Sequence, residues 1–258
     1  MARHLSYKGF PMNYLQNKTT IITGASSGIG KASAIALAAQ GAKIVAAARN
    51  QQRLDALVAE IRSAGGEATG YVADVSDTAQ ALALAKFAKE TYGSVDILIN
   101  NAGLMLFSYW SDLAIDDWNK MIDTNIKGYL NTIAGVLPFM LAQKSGQILN
   151  MDSVAGHRVD PAAGIYCATK FFVQAMTESM RKDLGVNHGI RANTVSPGVI
   201  DTGWAEKVTD PEGRKAAQEL NKIAIDPQDV ARAVVYALNQ PENVTVNDVI
   251  ISPTRQNW

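Results

Sequence analysis

The sequence predicts one α/β domain with a doubly wound, mostly parallel sheet of seven strands and helices on both faces. Short apolar runs rich in β-branched residues alternate along the chain with longer segments of helical period. Strands that alternate with helices form right-handed βαβ units, which build a parallel sheet between two helix layers. The 258 residues are enough to bury the core of such a domain.

The strands are predicted from short apolar runs and the helices from apolar residues that recur at steps of three and four. In the fourth helix, for example, Trp118, Ile122 and Ile126 share one face. The predicted strands are Thr19–Thr23, Ala42–Ala48, Ala68–Ala73, Val95–Asn100, Gln147–Met151, Arg191–Val195 and Val246–Ile251. The predicted helices are Ile29–Gln40, Gln51–Ala64, Thr78–Tyr92, Asp116–Gln143, Ala163–Leu184 and Pro227–Asn239. Ligands of such sheets bind beyond the carboxyl ends of the strands, so functional residues are expected there.

The composition limits the partners, metal sites and cellular compartment that we expect. Acidic and basic residues balance at 24 each, so the net charge does not indicate a nucleic acid as partner, although seven basic residues precede the first acidic one, Asp55. The single cysteine, Cys167, excludes an intramolecular disulfide and a thiolate metal cluster, so we predict a reducing, cytoplasmic setting and no metal site. Residues 1–17 contain no apolar run, so we expect a loosely held tail rather than a signal peptide or membrane anchor, before a domain at 18–258.

A glycine-rich turn follows the first strand and opens a helix, as in the Rossmann fold. Gly24 permits a tight turn, Gly28 lets the backbone approach a pyrophosphate, and Gly30 lets helix and strand pack closely. The free amides at the helix start would then face the phosphates. A flexible turn is the alternative, but the strand–turn–helix setting favours a dinucleotide site formed by Gly24, Ser26, Ser27, Gly28, Ile29 and Gly30.

The end of the second strand indicates which dinucleotide binds. NAD sites usually carry an acidic residue there for the ribose hydroxyls, whereas this strand ends in Arg49, with no carboxylate before Asp55. An arginine offers a charged donor fork for the 2′-phosphate of NADP, and Ser26, Ser27 and Lys31 could add to it. The alternative is that Arg49 is a solvated surface base. The sequence favours NADP(H), with 18–258 as its catalytic domain.

Two further strand ends carry candidate cofactor residues. Asp74 follows the third strand and could accept a hydrogen bond from the adenine amino group, or cap the next helix. Asn101, Ala102 and Gly103 follow the fourth strand, where small residues would let the backbone lie against the adenosine ribose. A plain turn is the alternative for this segment.

Four polar residues indicate the chemistry. Ser153 follows the fifth strand, Tyr166 and Lys170 lie one helical turn apart, and Asn125 occupies an apolar face where an amide needs a partner. A free tyrosine is a poor base at neutral pH, and an adjacent ammonium would lower its pKa. Tyr166 is therefore predicted as general acid or base for a carbonyl–alcohol interconversion, with Ser153 polarising the oxygen.

Together these motifs resemble the short-chain dehydrogenase/reductase family over about residues 18–252. The resemblance implies Ser153, Tyr166, Lys170 and Asn125 as a catalytic tetrad, with Lys170 on the nicotinamide ribose and Asn125 supporting a water-linked proton relay. It also implies that Val199 and Thr202 contact the nicotinamide carboxamide. The remaining matching motif is the pair Pro197 and Gly198.

The last strand lacks the Gly-rich ending of many family members and looks more like a branch with 3-hydroxy acid dehydrogenases and carbonyl reductases. We therefore expect an NADP(H)-dependent aldehyde or ketone reductase, with a dehydrogenase of serine or 3-hydroxypropionate as the alternative. A non-catalytic nucleotide sensor is the rival class, which the catalytic residues disfavour. An apolar pocket is expected from Leu104, Met105, Val159, Val199 and Trp204.

Two loop residues and the long helices carry the remaining expectations. His157 or Arg158 could receive a substrate carboxylate, and a solvated loop charge is the alternative. Cys167 is expected to be a small buried residue rather than a nucleophile. The resemblance further implies a homotetramer or dimer through the helices after strands four and five. No nucleic-acid or membrane partner is expected.

Overall fold

Seven strands form one parallel sheet in a computed structural model that describes residues 13–208 and 210–257. The strands are β1 (Thr19–Thr23), β2 (Lys43–Ala48), β3 (Glu67–Val72), β4 (Ile97–Asn100), β5 (Gly146–Met151), β6 (Ile190–Pro197) and β7 (Asp248–Ile251). Their order is β3-β2-β1-β4-β5-β6-β7, and every neighbouring pair is parallel. Strands β2 and β3 lie on one side of β1, and β4 to β7 lie on the other, so the strand order reverses between β1 and β4. Ligands of such sheets bind in the crevice beyond the carboxyl ends of the strands at this point, and a ligand site is therefore expected there.

All seven strands were predicted, with each end within two residues of its observed position. The helices are α1 (Gly28–Ala39), α2 (Gln51–Ser63), α3 (Thr78–Tyr92), α4 (Ile115–Ile122), α5 (Gly128–Gln143), α6 (Gly164–Met180), α7 (Val186–His188), α8 (Pro211–Asn221) and α9 (Pro227–Leu238). The helices predicted at Asp116–Gln143 and Ala163–Leu184 are interrupted or ended by π-helical turns at Asp123–Lys127 and Arg181–Gly185. These turns add a residue without breaking the apolar pattern, so periodicity does not reveal them.

The helix α8 was not predicted. Its residues are mostly polar and give no long apolar stripe. Instead, the Asp210 side chain accepts a hydrogen bond from the Gly213 amide, and Pro211 occupies the first turn. Both features favour a helix start, so capping rather than periodicity specifies this element.

The core lies on both faces of the sheet. On one face, Ile22 packs with residues of α1, α2 and α9; on the other, Ile21 packs with residues of α3, α5 and α6. Every residue of β1 is at most 1% exposed, as expected for a central strand of a doubly wound sheet. The carboxyl ends of the central strands are thereby held rigidly at one edge.

Buried amides and hydroxyls fix α5 and α6 against β4 and β5. The Asn100 side chain donates to Asn150 Oδ1 at 2.9 Å, and Thr132 of α5 donates to Asn100 Oδ1 at 2.6 Å. Asn150 in turn donates to Thr177 Oγ1 of α6 at 2.9 Å. All four residues are at most 4% exposed, and buried polar groups with satisfied partners define one helix position.

The predicted tail at residues 1–17 is corrected in its last part. Residues 1–12 lie outside the described residues, but Leu15 is 0% exposed and belongs to the core on the face of α1. The Tyr14 amide donates to Asn239 Oδ1 at 2.8 Å, and the Asn17 amide donates to the Gly41 carbonyl at 2.8 Å. One leucine and two backbone hydrogen bonds therefore tie this segment to the fold.

No helix within residues 13–208 and 210–257 is long and apolar enough to cross a membrane.

We expect Leu15→Ala to lower the free energy of unfolding by about 2–5 kcal/mol, because it removes a fully buried leucine from the core. Urea unfolding followed by circular dichroism measures this change. Gln16→Ala, at an exposed neighbouring position, is the matched control and should change stability little. Equal midpoints for wild type and Leu15→Ala would show that burial of Leu15 does not stabilise the fold.

Candidate active site

A cavity of about 940 Å³ opens beyond the carboxyl ends of the strands, beside the neighbouring strands β1 and β4. Almost all of the predicted catalytic and cofactor-binding residues line it, although they come from seven segments of the chain. They are Gly24, Ser26, Ser27, Gly28, Ile29, Arg49, Asp74, Asn101, Ala102, Gly103, Ser153, Tyr166, Lys170, Pro197, Gly198, Val199 and Thr202. The two exceptions, Gly30 and Asn125, lie behind the wall.

The turn after β1 has the backbone that a phosphate cradle requires. Gly24 and Gly28 have φ of 64° and 54°, which is the left-handed region that glycine adopts without strain. The helix α1 begins at Gly28, and the side chain of Ser27 before it makes no capping hydrogen bond. The first amides of α1 are thus available to a bound anion.

Thr23 and Asn101 join the ends of β1 and β4 below this turn. The Thr23 hydroxyl accepts hydrogen bonds from the Asn101 and Ala102 amides at 3.0 and 3.1 Å. The Asn101 side chain returns a hydrogen bond to the Thr23 carbonyl at 2.9 Å. A Cβ atom at Gly30 would overlap the Gly24 carbonyl oxygen and the Asn101 amide, so Gly30 serves packing rather than direct contact.

The far end of the cavity, beyond β2, carries two arginines. Arg49 is 72% exposed, and its Nη1 lies 3.7 Å from Asp74 Oδ2. Arg53 also lines the cavity, on the first turn of α2, a position that the sequence analysis did not single out. The signal that could have revealed it is its place in the first turn of the helix that follows Arg49. Lys31 does not line the cavity, and its Nζ lies 2.8 Å from Glu60 Oε2.

Asp74 is ionised beside this cationic end. Burial alone raises the pKa of its carboxyl, but hydrogen bonds from the Ser76 hydroxyl and amide and the charge of Arg49 outweigh burial and lower the pKa. The carboxylate of Asp74, which follows β3, therefore lies at the same end of the cavity as Arg49, although β2 provides no carboxylate. It balances part of the charge of Arg49.

Ser153, Tyr166 and Lys170 meet at the ends of β5 and α6. Lys170 is 4% exposed, and its Nζ donates to the Met151 carbonyl at 2.8 Å. The Tyr129 hydroxyl donates to the same oxygen at 2.9 Å. Lys170 Nζ lies 5.7 Å from the ring centre of Tyr166, so the ammonium faces the phenol across the cavity wall.

The pKa directions correct one expectation. We expected the neighbours of Tyr166 to lower its pKa, but burial raises it, and the hydrogen bond with Ser153 offsets this only partly. The same burial lowers the pKa of Lys170 to about 8. Sequence spacing identifies the charged neighbour but not the extent of desolvation, which is the largest influence on the pKa of each residue.

Asn125 lies in the π-helical turn and is 0% exposed. Its side chain accepts from the Leu104 amide at 2.8 Å and donates to the Leu104 carbonyl at 2.9 Å. It also donates to Thr169 Oγ1 at 3.1 Å, on the turn of α6 between Tyr166 and Lys170. The amide thus has the specific partners that its apolar position required, and it fixes the Leu104 segment to α6.

The part of the cavity around Trp204 is mainly apolar. Leu104, Met105, Val199 and Trp204 line it as predicted, whereas Val159 is 69% exposed and does not. Phe107 adds a further wall, with its ring centre 5.5 Å from that of Trp204.

The loop after β5 separates its two basic residues. Arg158 lines the cavity, together with Asp160, whereas His157 turns away towards β6 and β7. Cys167 is buried beside Tyr166, and burial raises the pKa of its thiol, as expected for a packing residue.

Comparison with known proteins assigns the family. The model for short chain dehydrogenases matches residues 18–213. An uncharacterised oxidoreductase of Staphylococcus saprophyticus is 42% identical over 247 residues, which cover 95% of this chain and 99% of that protein. The chain belongs to the short-chain dehydrogenase/reductase family. It is an oxidoreductase, as the motifs indicated, and members of this family act on small molecules.

Solved structures share the fold. A short chain dehydrogenase/reductase from Burkholderia phymatum, in complex with NAD, superposes with a TM-score of 0.83 at 30% identity, covering 92% of this chain and 89% of that one. The closed form of a serine dehydrogenase complexed with NADP⁺ gives 0.84 at 30% identity, covering 93% and 96%. The doubly wound seven-stranded sheet is thus confirmed, and its neighbours bind either dinucleotide.

We expect Gly30→Ala to weaken the binding of a nicotinamide dinucleotide by about tenfold, because overpacking costs about 1–3 kcal/mol and would here displace the glycine-rich turn after β1. NADPH fluorescence titration measures the dissociation constant. Gly185→Ala is the matched control: its φ is −65° and a Cβ atom there would meet only the Ile190 carbonyl at 3.8 Å. Unchanged affinity in Gly30→Ala would contradict the described packing of the turn.

Proposed function

We propose that the protein is an NADP(H)-dependent oxidoreductase that interconverts a ketone or aldehyde and an alcohol. The observation that carries this proposal is that Ser153, Tyr166 and Lys170 line the same cavity as the glycine-rich turn after β1. Lys170 Nζ lies 5.7 Å from the centre of the phenol ring, and the side chains of Ser153 and Tyr166 line the same cavity. A carbonyl oxygen bound there would contact both.

The residues present fit a dinucleotide. The cavity is at the upper end of the range for ligand sites, and glycine and alanine at the turn leave room for close backbone approach. Gly24, Ser26–Ile29 and Asn101–Gly103 would hold the pyrophosphate and adenosine ribose, with Lys170 at the nicotinamide ribose. Pro197, Gly198, Val199 and Thr202 would hold the carboxamide. When bound, the reduced nicotinamide supplies hydride to the carbonyl carbon.

Each catalytic side chain has a distinct task in carbonyl reduction. Tyr166 donates its proton to the carbonyl oxygen, and in alcohol oxidation it takes that proton back as a general base. Ser153 holds the oxygen by a hydrogen bond that strengthens as negative charge develops. Lys170 stabilises the phenolate by its charge. Asn125 donates a hydrogen bond to Thr169 and thereby fixes the turn of α6 between Tyr166 and Lys170.

The preference for NADP rests on the adenosine end of the cavity. Arg49 and Arg53 line it, and a guanidinium binds phosphate through several charge-assisted hydrogen bonds. Asp74 balances part of this charge and would remain available to the adenine amino group. The two arginines together support NADP over NAD more strongly than Arg49 alone.

The first test is turnover. With NADPH and a panel of aldehydes and ketones, we expect Tyr166→Phe to reduce kcat by about a hundredfold or more, because the phenylalanine has no proton to transfer. Absorbance of NADPH reports the rate, and fluorescence titration should show unchanged NADPH binding. Tyr109→Phe, at a cavity-lining tyrosine near the entrance, is the control. Tight NADPH binding without turnover on any carbonyl would instead favour a nucleotide sensor.

The second test is cofactor choice. We expect Arg49→Ala to raise the KM for NADPH about tenfold and to leave the KM for NADH unchanged, because only NADPH carries the 2′-phosphate. Arg53→Ala should act in the same direction. Arg62→Ala, at the far end of α2, is the control. An equal rise for both cofactors would show that the arginines do not read the phosphate.

A second candidate function is oxidation of small hydroxy acids such as serine or 3-hydroxypropionate. The specific observation in its favour is Arg158, which reaches the cavity that Ser153 and Tyr166 share. A guanidinium can bind a carboxylate through two parallel hydrogen bonds. A serine dehydrogenase whose structure was solved in complex with NADP⁺ has the same fold as this chain.

Arg158→Ala separates the two substrate classes. If hydroxy acids are substrates, kcat/KM for them should fall about tenfold or more, while kcat/KM for neutral alcohols stays unchanged. Steady-state assays with matched acid and ester substrates measure this difference. Equal losses on both would show that Arg158 supports the loop rather than the carboxylate.

We also propose a homo-oligomer, a tetramer or dimer, in the reducing cytoplasm. The helices after β4 and β5 present the large apolar side chains Leu130, Leu141 and Phe171 at exposed positions, which supports an interface there. The free thiol of Cys167 supports a reducing compartment.

A further inference from the structure

The segment that follows β6 lines the cavity but lies outside the helices and strands. Pro197 ends β6, and Gly198, Val199 and Thr202 come after it along the part of the wall where the proposed function puts the nicotinamide carboxamide. Backbone outside a strand ladder needs hydrogen-bond partners from elsewhere in the chain. The partners of this segment therefore decide where this part of the wall stands.

Two neighbouring amides of the segment donate to β7 and to the residues beyond it. The Gly198 amide donates to the Ile251 carbonyl of β7 at 2.7 Å. The Val199 amide donates to the side-chain oxygen Oε1 of Gln256 at 3.1 Å, and the Val199 carbonyl accepts from the Ile225 amide at 3.1 Å. The Val199 amide is thus held by a side chain, whereas the other two bonds join backbone to backbone.

Gln256 reaches Val199 because the chain turns back after β7. The Gln256 amide donates to the Pro253 carbonyl at 2.9 Å, and Pro253 is buried. The side chain of Gln256 lies directly against the segment, since a Cβ atom at Gly198 would overlap its Oε1. Gln256 does not itself line the cavity. It therefore contacts the segment from outside the cavity.

The hydrogen bond determines which end of the Gln256 side-chain amide faces Val199. A backbone N–H needs an acceptor, so Oε1 takes that position and Nε2 points elsewhere. Nε2 is buried and has no hydrogen-bond partner among the described residues. A buried donor without a partner costs free energy, and a methionine side chain would fill a similar space without this cost. What glutamine specifically contributes at this position is the acceptor for Val199.

We propose that Gln256 is a positioning residue for the nicotinamide: its side-chain carbonyl holds the Val199 amide and thereby fixes the cavity wall at residues 197–202. This inference rests on the proposed function, because a nicotinamide lies at this wall only if the protein binds the dinucleotide. Hydride transfer needs the ring in one position, and a wall that is already fixed does not have to be ordered when the ligand binds. The family model matches residues 18–213 and does not include Gln256.

An opposite role would follow if Gln256 competed with the nicotinamide for the Val199 amide, since both groups are primary carboxamides. Gln256 contacts Val199 from outside the cavity, so it leaves the cavity side of the segment to the ligand. The two roles predict opposite changes in affinity when the acceptor is removed.

The test compares NADPH with 2′-phospho-ADP-ribose, which has the same adenosine end and lacks the nicotinamide. In Gln256→Met, which removes the acceptor, we expect the dissociation constant of NADPH to rise about fivefold to tenfold, because a hydrogen bond is lost and binding must order the segment. The dissociation constant of 2′-phospho-ADP-ribose should stay unchanged. Isothermal titration calorimetry measures both, and NADH with ADP-ribose replaces the pair if the protein prefers NAD.

Three further variants separate the acceptor from the packing of the side chain. Gln256→Glu keeps an acceptor oxygen, and we expect its affinity for NADPH, whose nicotinamide ring is uncharged, to stay within about twofold of the wild type. Gln256→Ala removes the side chain beyond Cβ and should show the same loss, specific to NADPH, as Gln256→Met. Thr254→Ala, at an exposed position of the same turn, is the matched control and should change neither dissociation constant.

Equal weakening of both ligands in Gln256→Met and Gln256→Ala would overturn the proposal, because it would show a general loss of structure. Tighter NADPH binding would overturn it in favour of competition for the Val199 amide. Unchanged NADPH binding would show that the segment is held without Gln256. If the wild type bound NADPH but reduced no carbonyl, the proposed function would fail, and the comparison of the two ligands would still decide the role of Gln256.

Discussion

The buried ammonium of Lys170 is anchored to the carbonyl of Met151, the last residue of β5, and the geometry of the site depends on that hydrogen bond. Removing an ammonium from water costs several kcal/mol unless acceptors and countercharge replace the solvent. Because β5 lies between β4 and β6, its last carbonyl has a fixed position. Tyr166 lies one helical turn from Lys170, so the sheet determines where the phenol stands relative to the cofactor crevice.

Hydrogen bonds on either side of β5 extend this constraint. The buried network of Asn100, Asn150, Thr132 and Thr177 prevents α5 and α6 from sliding along the sheet. The hydrogen bonds between Thr23 and Asn101 join the end of β1 to the end of β4 and so hold the glycine-rich turn after β1 in place. Proton transfer and hydride transfer need reacting atoms placed within a few tenths of an ångström, and rigid strand ends provide this better than loops.

The strands and the cavity-lining residues could be predicted because their causes are local. Buried β-branched runs, left-handed glycines and a tyrosine four residues before a lysine are visible in the sequence itself. The helix α8 escaped prediction because its cap, and not an apolar stripe, specifies it. Leu15 escaped because only the folded chain brings it against α1, and Asp152 because its partners come from α6, β6 and β7.

The pKa of Tyr166 shows most clearly what sequence spacing alone cannot predict. Spacing identifies Lys170 as a neighbour and predicts a stabilised phenolate, but burial acts on both partners and disfavours both charged forms. A tyrosine–lysine pair is therefore not a competent base merely by proximity: the ammonium must first be kept charged against its own desolvation. The Met151 carbonyl at the end of β5 supplies a hydrogen-bond acceptor, and the charge of Asp152 opposes the fall that burial causes in the pKa of Lys170. The groups that set the pKa of this pair thus come from other elements of the fold, and tertiary packing rather than local sequence brings them to it.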